Sequence, residues 1–232
     1  MTLSAQTFIA TLREHESESE RAKISRYFRG SADTQIIGVR MKTTFDTAAK
    51  YRDVPLAEVE ALLESPYYEA RIGAVSILDF KARRKGITDA ERAELYNLYL
   101  RRHDRIDNWD LVDRAAPRVI GWYLFDKPRD PLYKLAGSAN IWERRTAITA
   151  TFWFIRQRDI DDALKIAEML IDDDEELINK SVGTGLREIG KVDPDRLVEF
   201  LRTHAAKTPR VTLRYATERL PADVRKQLLG PR

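Results

Sequence analysis

Helix-start signals recur along almost the whole chain, and no convincing period-2 strand bounded by turn residues lies between them. Ser4 precedes Phe8, Ile9 and Leu12 at helical spacing. Thr88-Asp-Ala-Glu91 is a capping box ahead of Leu95, Leu98 and Tyr99, with hydroxyl and carboxylate each satisfying a backbone N–H of the first turn. Asp53-Val-Pro55 and Ser65-Pro66 place proline near a helix start, where its missing N–H costs nothing. The second of these opens a run through Ala70, Ile72, Val75, Leu78 and Phe80. Asn108, Asp159, Asp174 and Asp193-Pro194 open further helices, and Gly86, Gly190 and Gly230 mark expected ends. The chain reads as all-α.

The helices pair off. Segments near 55–85, 88–123, 132–156, 159–190 and 193–219 each read as two short antiparallel helices, a spacing of about 25–36 residues, near that of HEAT and armadillo repeats. Such pairs cannot bury both faces alone and stack side by side. The expectation is a right-handed α-α superhelix, a HEAT-like repeat solenoid with a concave basic face; a globular helical bundle is the alternative. Asp126-Lys-Pro128-Arg-Asp-Pro131 is the best linker candidate and it is short, so residues 1–232 are expected to form a single domain.

Composition removes whole classes of function. The absence of cysteine excludes a disulfide framework, thiolate catalysis, Fe–S clusters and sulfur-bound zinc. The three histidines, His15, His103 and His204, share no metal-ligand spacing and read as surface residues, so no metal or other cofactor is expected. The longest apolar stretches, such as Ala147 to Ile155, are about half of the ~20 residues that a membrane span needs. The N-terminus turns acidic at once and has no basic leader region, which makes the cytoplasm the expected location. Nothing points to oligomers, so a monomer is expected.

Net charge is only +3, but it is segregated. Residues 159–176 carry nine acids against one base, Lys165, leaving 39 bases and 28 acids elsewhere. A segregated basic surface suits phosphate binding; an acidic helix pair that simply faces solvent is the blander explanation.

Two segments invite a chemical reading. Gly185-Leu-Arg-Glu-Ile-Gly190-Lys191 matches part of a phosphate-binding loop, but Val192 stands where a Ser or Thr would hold magnesium and the stretch lies on a helix, so it is set aside. Asn108-Trp109-Asp110-Leu-Val-Asp113 is more informative. Asn108 caps the helix, Asp110 favours its dipole, and Trp109 and Asp113 project from one face four residues apart. By residue type alone Trp109 also fits a core anchor and Asp113 a solvated or Arg114-facing acid.

The set of Arg26-Tyr27-Phe28-Arg29, Ile-Ile-Gly38-Val, Trp109-Asp-x-Val-Asp113, Asn140-Ile-Trp142-Glu-Arg-Arg145-Thr-Ala-Ile and Lys180-Ser-Val-Gly183-Thr-Gly-Leu186-Arg187-Glu188 resembles the DNA alkylation repair glycosylases of the AlkC/AlkD type, in the family's order and at nearly its spacings. The resemblance covers essentially the whole chain. It implies HEAT-like repeats and excision of cationic N7- and N3-alkylpurines from double-stranded DNA, with no metal or nucleotide and, in the AlkD type, no flipping of the lesion into a pocket. Asp113 matches the carboxylate near the damaged nucleotide's deoxyribose, and Trp109 an aromatic packed on that sugar and backbone. Arg145 matches a cation gripping the adjacent phosphate, and Tyr27 a residue lining the same surface; Arg187 could also reach DNA. Where the pattern has a second tryptophan this chain has Thr184, which implies a more open site. A weaker glycosylase, a preference for bulkier adducts, and a DNA-binding paralogue without activity all fit that change.

The chemistry is self-consistent. A cationic alkylpurine is already a good leaving group, so the enzyme must chiefly stabilise positive charge on the sugar. A carboxylate ~4 Å away at an effective dielectric of ~20 supplies about 4 kcal/mol, roughly three decades of rate. A protein-interaction scaffold without nucleic acid is the remaining alternative, since many helical-repeat folds serve that end. Trp122, Trp142 and Trp153 read as core, with Arg144 and Arg145 available to solvent, and Arg187 beside Glu188 as a structural pair. Lys81, Arg83, Arg84 and Lys85 read either as a phosphate contact or as a helix C-terminus complementing its dipole.

Overall fold

The Ser4 hydroxyl accepts from the Thr7 N–H at 3.2 Å, and the Thr7 hydroxyl oxygen accepts from the Ser4 N–H at 2.9 Å. That reciprocal cap opens α1 (Ala5–Arg13) in a computed structural model describing residues 3–230. In chain order there follow α2 (Glu18–Tyr27), α3 (Met41–Lys50), α4 (Leu56–Glu64), α5 (Tyr68–Ala82), α6 (Asp89–Arg101) and α7 (Trp109–Ala116). A π-helical turn, Pro117–Gly121, leads into α8 (Trp122–Leu124). Beyond it come α9 (Asp130–Ala136), α10 (Ile141–Arg156), α11 (Asp161–Met169), α12 (Glu176–Val192), α13 (Pro194–Thr203), α14 (Arg210–Ala216) and α15 (Ala222–Leu229). The fold is all-α: no strand occurs among the described residues, only one isolated parallel bridge between Gln35 and Tyr67.

Start signals that depend on one side chain and its own turn hold best. Thr88 and Glu91 form the expected box, and Asp193 accepts from the Arg196 N–H at 3.0 Å. Others slip by two residues: α11 begins at Asp161 instead of Asp159, and α12 at Glu176 instead of Asp174. Gly190 does not end its helix, which runs to Val192. A Cβ there would lie 2.5 Å from Leu197 Cδ2, so this glycine serves the close approach of α13.

The helices form two compact units, Met1–Tyr123 and Leu124–Arg232. In the first, α5 packs on α3, α4 and α7; in the second, α12 packs on α10, α13 and α14. In each unit alternate helices are neighbours, the arrangement of stacked helix pairs in a helical-repeat fold.

Helix α5 organises the first unit and is buried on every side, so Glu69, Arg71 and Asp79 lie in the interior with Ile72, Val75, Ile77 and Leu78. Each buried charge ties down a different neighbour. The Glu69 carboxylate accepts from the backbone N–H groups of Ile37, Gly38 and Val39 at 2.9, 2.7 and 3.1 Å. Arg71 pairs with Asp107 at 2.8 Å and donates to the Thr34 hydroxyl. Asp79 receives three arginines, described below. Gly38 is needed in the Glu69 turn because its φ is +96° and a Cβ would sit 2.3 Å from the Ser17 carbonyl oxygen. Gly38→Ala is therefore expected to destabilise the protein by about 2–5 kcal/mol in urea unfolding. Gly86→Ala, at φ +76° with nothing within 4 Å, isolates the backbone penalty and should cost the smaller part of that.

In the second unit the acidic stretch is not a bare solvated face. Arg129 bridges Asp159 and Asp162 at 2.7 and 2.5 Å, Arg144 chelates Asp173 at 2.7 and 3.2 Å, and Arg196 pairs with Asp161 at 2.7 Å. Gly183, on the other long helix face, lets α14 approach: a Cβ would meet Tyr215 Cβ at 2.6 Å and the Thr212 carbonyl oxygen at 2.8 Å.

Candidate functional site

In the first unit the start of α7 brings three of the expected residues together. Trp109 Nε1 donates to the Tyr27 carbonyl oxygen at 3.4 Å, and the two rings meet edge-on with centroids 6.2 Å apart. Both side chains are half-buried. Asp113, one turn further along α7 on the same face, is exposed. An aromatic pair and a carboxylate thus share one corner of the surface.

Below that corner lies a hydrogen-bonded chain that sequence reasoning missed. Tyr68, fully buried on α5, donates its O–H to Asp110 Oδ2. Asn108 occupies the N-cap position as expected, but its side chain does not cap the helix. Its Oδ1 accepts from the Arg29 N–H at 2.9 Å, and its Nδ2 donates to Asp110 Oδ1 at 2.7 Å. Burial raises the Asp110 carboxyl above its usual range, and the neighbouring Asp113 charge adds to the rise, against hydrogen bonds from Tyr68, Asn108 and the Leu111 backbone that lower it. Burial, followed by the Asp110 charge, also raises the Tyr68 and Tyr27 phenols. The only hint of this in the sequence is a third polar residue, Asp110, beside the cap.

A second charged group sits further along α7. Asp79 is fully buried and meets Arg83 at 2.7 Å, Arg114 at 3.2 Å and Arg118 at 3.1 Å. Arg114 lies over Phe45 and Phe80, 4.7 and 5.1 Å from their centroids, and burial lowers its guanidinium below the usual range. It therefore faces Asp79, not Asp113. A cavity of about 620 Å³ nearby is lined by Arg52, Asp53, Phe80, Lys81, Arg83 and Arg84. The basic run at the end of α5 is partly engaged within the protein, through Arg83 with Asp79 and Arg84 with Glu91.

The second unit holds the other three expected residues, each with an internal bond. Arg145 is buried at 7% exposure, not open to solvent as expected, and its Nη1 donates to the Leu177 carbonyl oxygen at 2.6 Å. The Thr184 hydroxyl donates to the Lys180 carbonyl oxygen at 2.9 Å, one turn back on α12. Arg187 pairs with Glu218 at 2.6 Å and, more loosely, with Glu188 at 3.5 Å.

Several expectations for isolated residues are corrected. Trp122, Trp142 and Trp153 are half-buried instead of fully in the core, and the Arg92 guanidinium lies 3.7 Å from the Trp122 ring centroid. His103 is buried against Tyr99 instead of lying on the surface, because the 3-10 turn after α6 folds it inward. No group of three or more His, Cys, Asp or Glu able to hold a metal ion occurs among the described residues.

Comparison with known proteins agrees with this fold. A solved structure described as a predicted DNA alkylation repair enzyme from Enterococcus faecalis superposes with a TM-score of 0.69 at 17% identity, covering 90% of this chain and 98% of that one. AlkD2 from Streptococcus mutans superposes with a TM-score of 0.61 at 18% identity, covering 94% of this chain and 100% of that one. No curated protein matches. At these identities the superpositions establish the fold. The family model of DNA alkylation repair enzymes matches residues 8–220, nearly the whole chain, and on that match the protein belongs to the DNA alkylation repair enzyme family.

Proposed function

We propose that the protein is a DNA glycosylase that hydrolyses the N-glycosidic bond of cationic N7- and N3-alkylated purines in duplex DNA, as a cytoplasmic monomer and without metal or nucleotide. The observation that carries the reading is the exposed Asp113 carboxylate beside the half-buried Trp109 and Tyr27 rings. A carboxylate on an open corner reaches a sugar at the duplex surface without a pocket for the base, which favours excision without base flipping.

The reaction needs little from the protein. As the bond between C1′ and N9 breaks, its electron pair passes to the positively charged base, which leaves neutral. Positive charge develops on the sugar, where Asp113 stabilises it electrostatically and the ring face of Trp109 adds a smaller cation–π contribution. Water then bonds to C1′ and gives its proton to Asp113 or to solvent. Unmodified purines lack the charge that makes a good leaving group, so the lesion's charge supplies selectivity.

The direct test is single-turnover release of 7-methylguanine from a duplex carrying one lesion. Release supports the reading; tight binding with no release moves it to a DNA-binding paralogue, the alternative favoured by Thr184, whose hydroxyl is turned back onto its own helix. Binding itself is checked by salt. With about six phosphate contacts, duplex affinity should fall about a thousandfold between 50 and 200 mM salt in fluorescence anisotropy. Absence of any duplex affinity would leave the protein-interaction scaffold.

A further inference from the structure

The cavity at the far end of α5 lies well away from the Trp109 corner. Tyr68, beneath that corner, begins the 15-residue helix and Lys81 stands in its last turn, a separation of about 20 Å at the usual rise per residue. The cavity wall carries four cations, Arg52, Lys81, Arg83 and Arg84, against one acid, Asp53. Three of the cations have a carboxylate beside them: Arg83 meets Asp79 at 2.7 Å, Arg84 meets Glu91, and Arg52 meets Asp53 loosely at 3.7 Å. Lys81 does not. It is half-buried, and its ammonium makes no hydrogen bond or ion pair with any described residue. If this basic run only answered the dipole of α5, its donors would reach the last carbonyls of the helix. Arg83 does so, giving its Nε–H to the Asp79 carbonyl oxygen at 3.3 Å, and Lys81 donates to none of them. Burial lowers the Lys81 ammonium below its usual range, against the Asp53 charge, which raises it. An ammonium that is partly desolvated, with three donors that no protein group takes up, is short of an acceptor.

We propose that this cavity is a second binding site, separate from the corner, which takes a phosphate-class oxyanion on the Lys81 ammonium with Arg52 and Arg84 closing around it. Arg52 and Arg84 are exposed, and surface ion pairs such as theirs with Asp53 and Glu91 hold by so little that both guanidinium groups can turn to a phosphate, whose oxygens suit their paired N–H groups. Arg83 stays with the buried Asp79 and forms fixed wall. The only aromatic of the wall, Phe80, already has the Arg83 and Arg114 guanidinium groups over its ring, 4.8 and 5.1 Å from the centroid, so the cavity offers a ligand charge and not a stacking surface. At about 620 Å³ it has room for more than a bare anion, which fits a phosphate ester. Such an ester has two sources, the backbone of a duplex running past the corner and a small phosphate ester free in solution. The chemistry that recognises it is the same in both, and it does not depend on the glycosylase reading.

The test has two arms, each run on wild type, Lys81→Met and Lys81→Arg. In the first, inorganic phosphate and then glycerol phosphate are titrated calorimetrically at an ionic strength held constant with chloride. Lys81→Met, which keeps the buried stem and removes the charge, should weaken binding at least about tenfold, the loss of one charged hydrogen bond, while Lys81→Arg stays within a fewfold of wild type. In the second, the affinity for an undamaged duplex is followed across salt concentrations by fluorescence anisotropy. If a backbone phosphate occupies the cavity, Lys81→Met should make the slope of log affinity against log salt shallower by about one. A loss in the first arm with an unchanged slope identifies a free phosphate ester as the ligand; a shallower slope identifies the duplex. If neither phosphate binding nor the salt slope responds to Lys81→Met, the proposal is overturned. Arg52→Gln, at an exposed position outside any helix, carries the same two readouts should Lys81→Met fail to fold. Neither arm involves excision, so failure of the glycosylase reading, seen as no release of 7-methylguanine, leaves both results standing.

Discussion

Asp113→Asn is expected to reduce single-turnover release of 7-methylguanine by about a hundred- to a thousandfold while leaving duplex affinity within a fewfold. The substitution keeps the size of the side chain, removes the negative charge and exchanges one acceptor oxygen for an NH2 donor. If that charge serves chiefly the cation that develops on the sugar, the loss falls on the chemical step and not on binding. The free protein exposes this carboxylate, where water screens it; its effect grows when DNA displaces that water. A rate retained in full would refute the electrostatic role, and a parallel collapse of affinity would assign Asp113 to docking. Thermal unfolding of the variant beside wild type separates a loss of rate from a loss of fold.

The opposite result is expected of Asp79. Asp79→Asn leaves Arg83, Arg114 and Arg118 gathered around a neutral amide with no anion to offset their desolvation. The expected cost is about 3–5 kcal/mol, the range for breaking a buried ion pair by removing one partner. For a chain of this size that lowers the melting temperature by roughly 6–20 °C in calorimetry. Arg114→Met in the same background should restore part of the loss, since one stranded cation disappears and an apolar chain takes its place against Phe45 and Phe80. An Asp79→Asn protein as stable as wild type would mean that the three guanidinium groups reach enough water to need no counter-charge.

What could be read from the sequence divides by range. Ser4, Thr88 and Asp193 announce their helices because a cap is settled within one turn, and the structure has all three bonds. Tyr27, Trp109 and Asp113 were found through the family pattern, and Tyr27 and Trp109 do lie side by side although 82 residues apart. The buried chain escaped notice because Tyr68 and Asp110 are 42 residues apart and nothing local marks a tyrosine on an apolar helix as a donor to a distant acid. The same blindness hid the three arginines of Asp79 and the burial of Arg145, since a residue's type does not say which neighbour will cover it. Gly190 misled for a different reason: glycine ends helices through its backbone, but here the missing side chain makes room for Leu197.

The paired acids of the second unit bear on how the chain presents itself to a polyanion. Binding to DNA gains its salt-dependent free energy by replacing counterions with protein cations, one phosphate at a time. An arginine already held by a carboxylate brings its own counterion and has little to release. Arg129, Arg144 and Arg196 are occupied in this way by Asp159, Asp162, Asp173 and Asp161. These three guanidinium groups therefore have little to gain from a phosphate, and a polyanion approaching them would meet charge that is already neutralised.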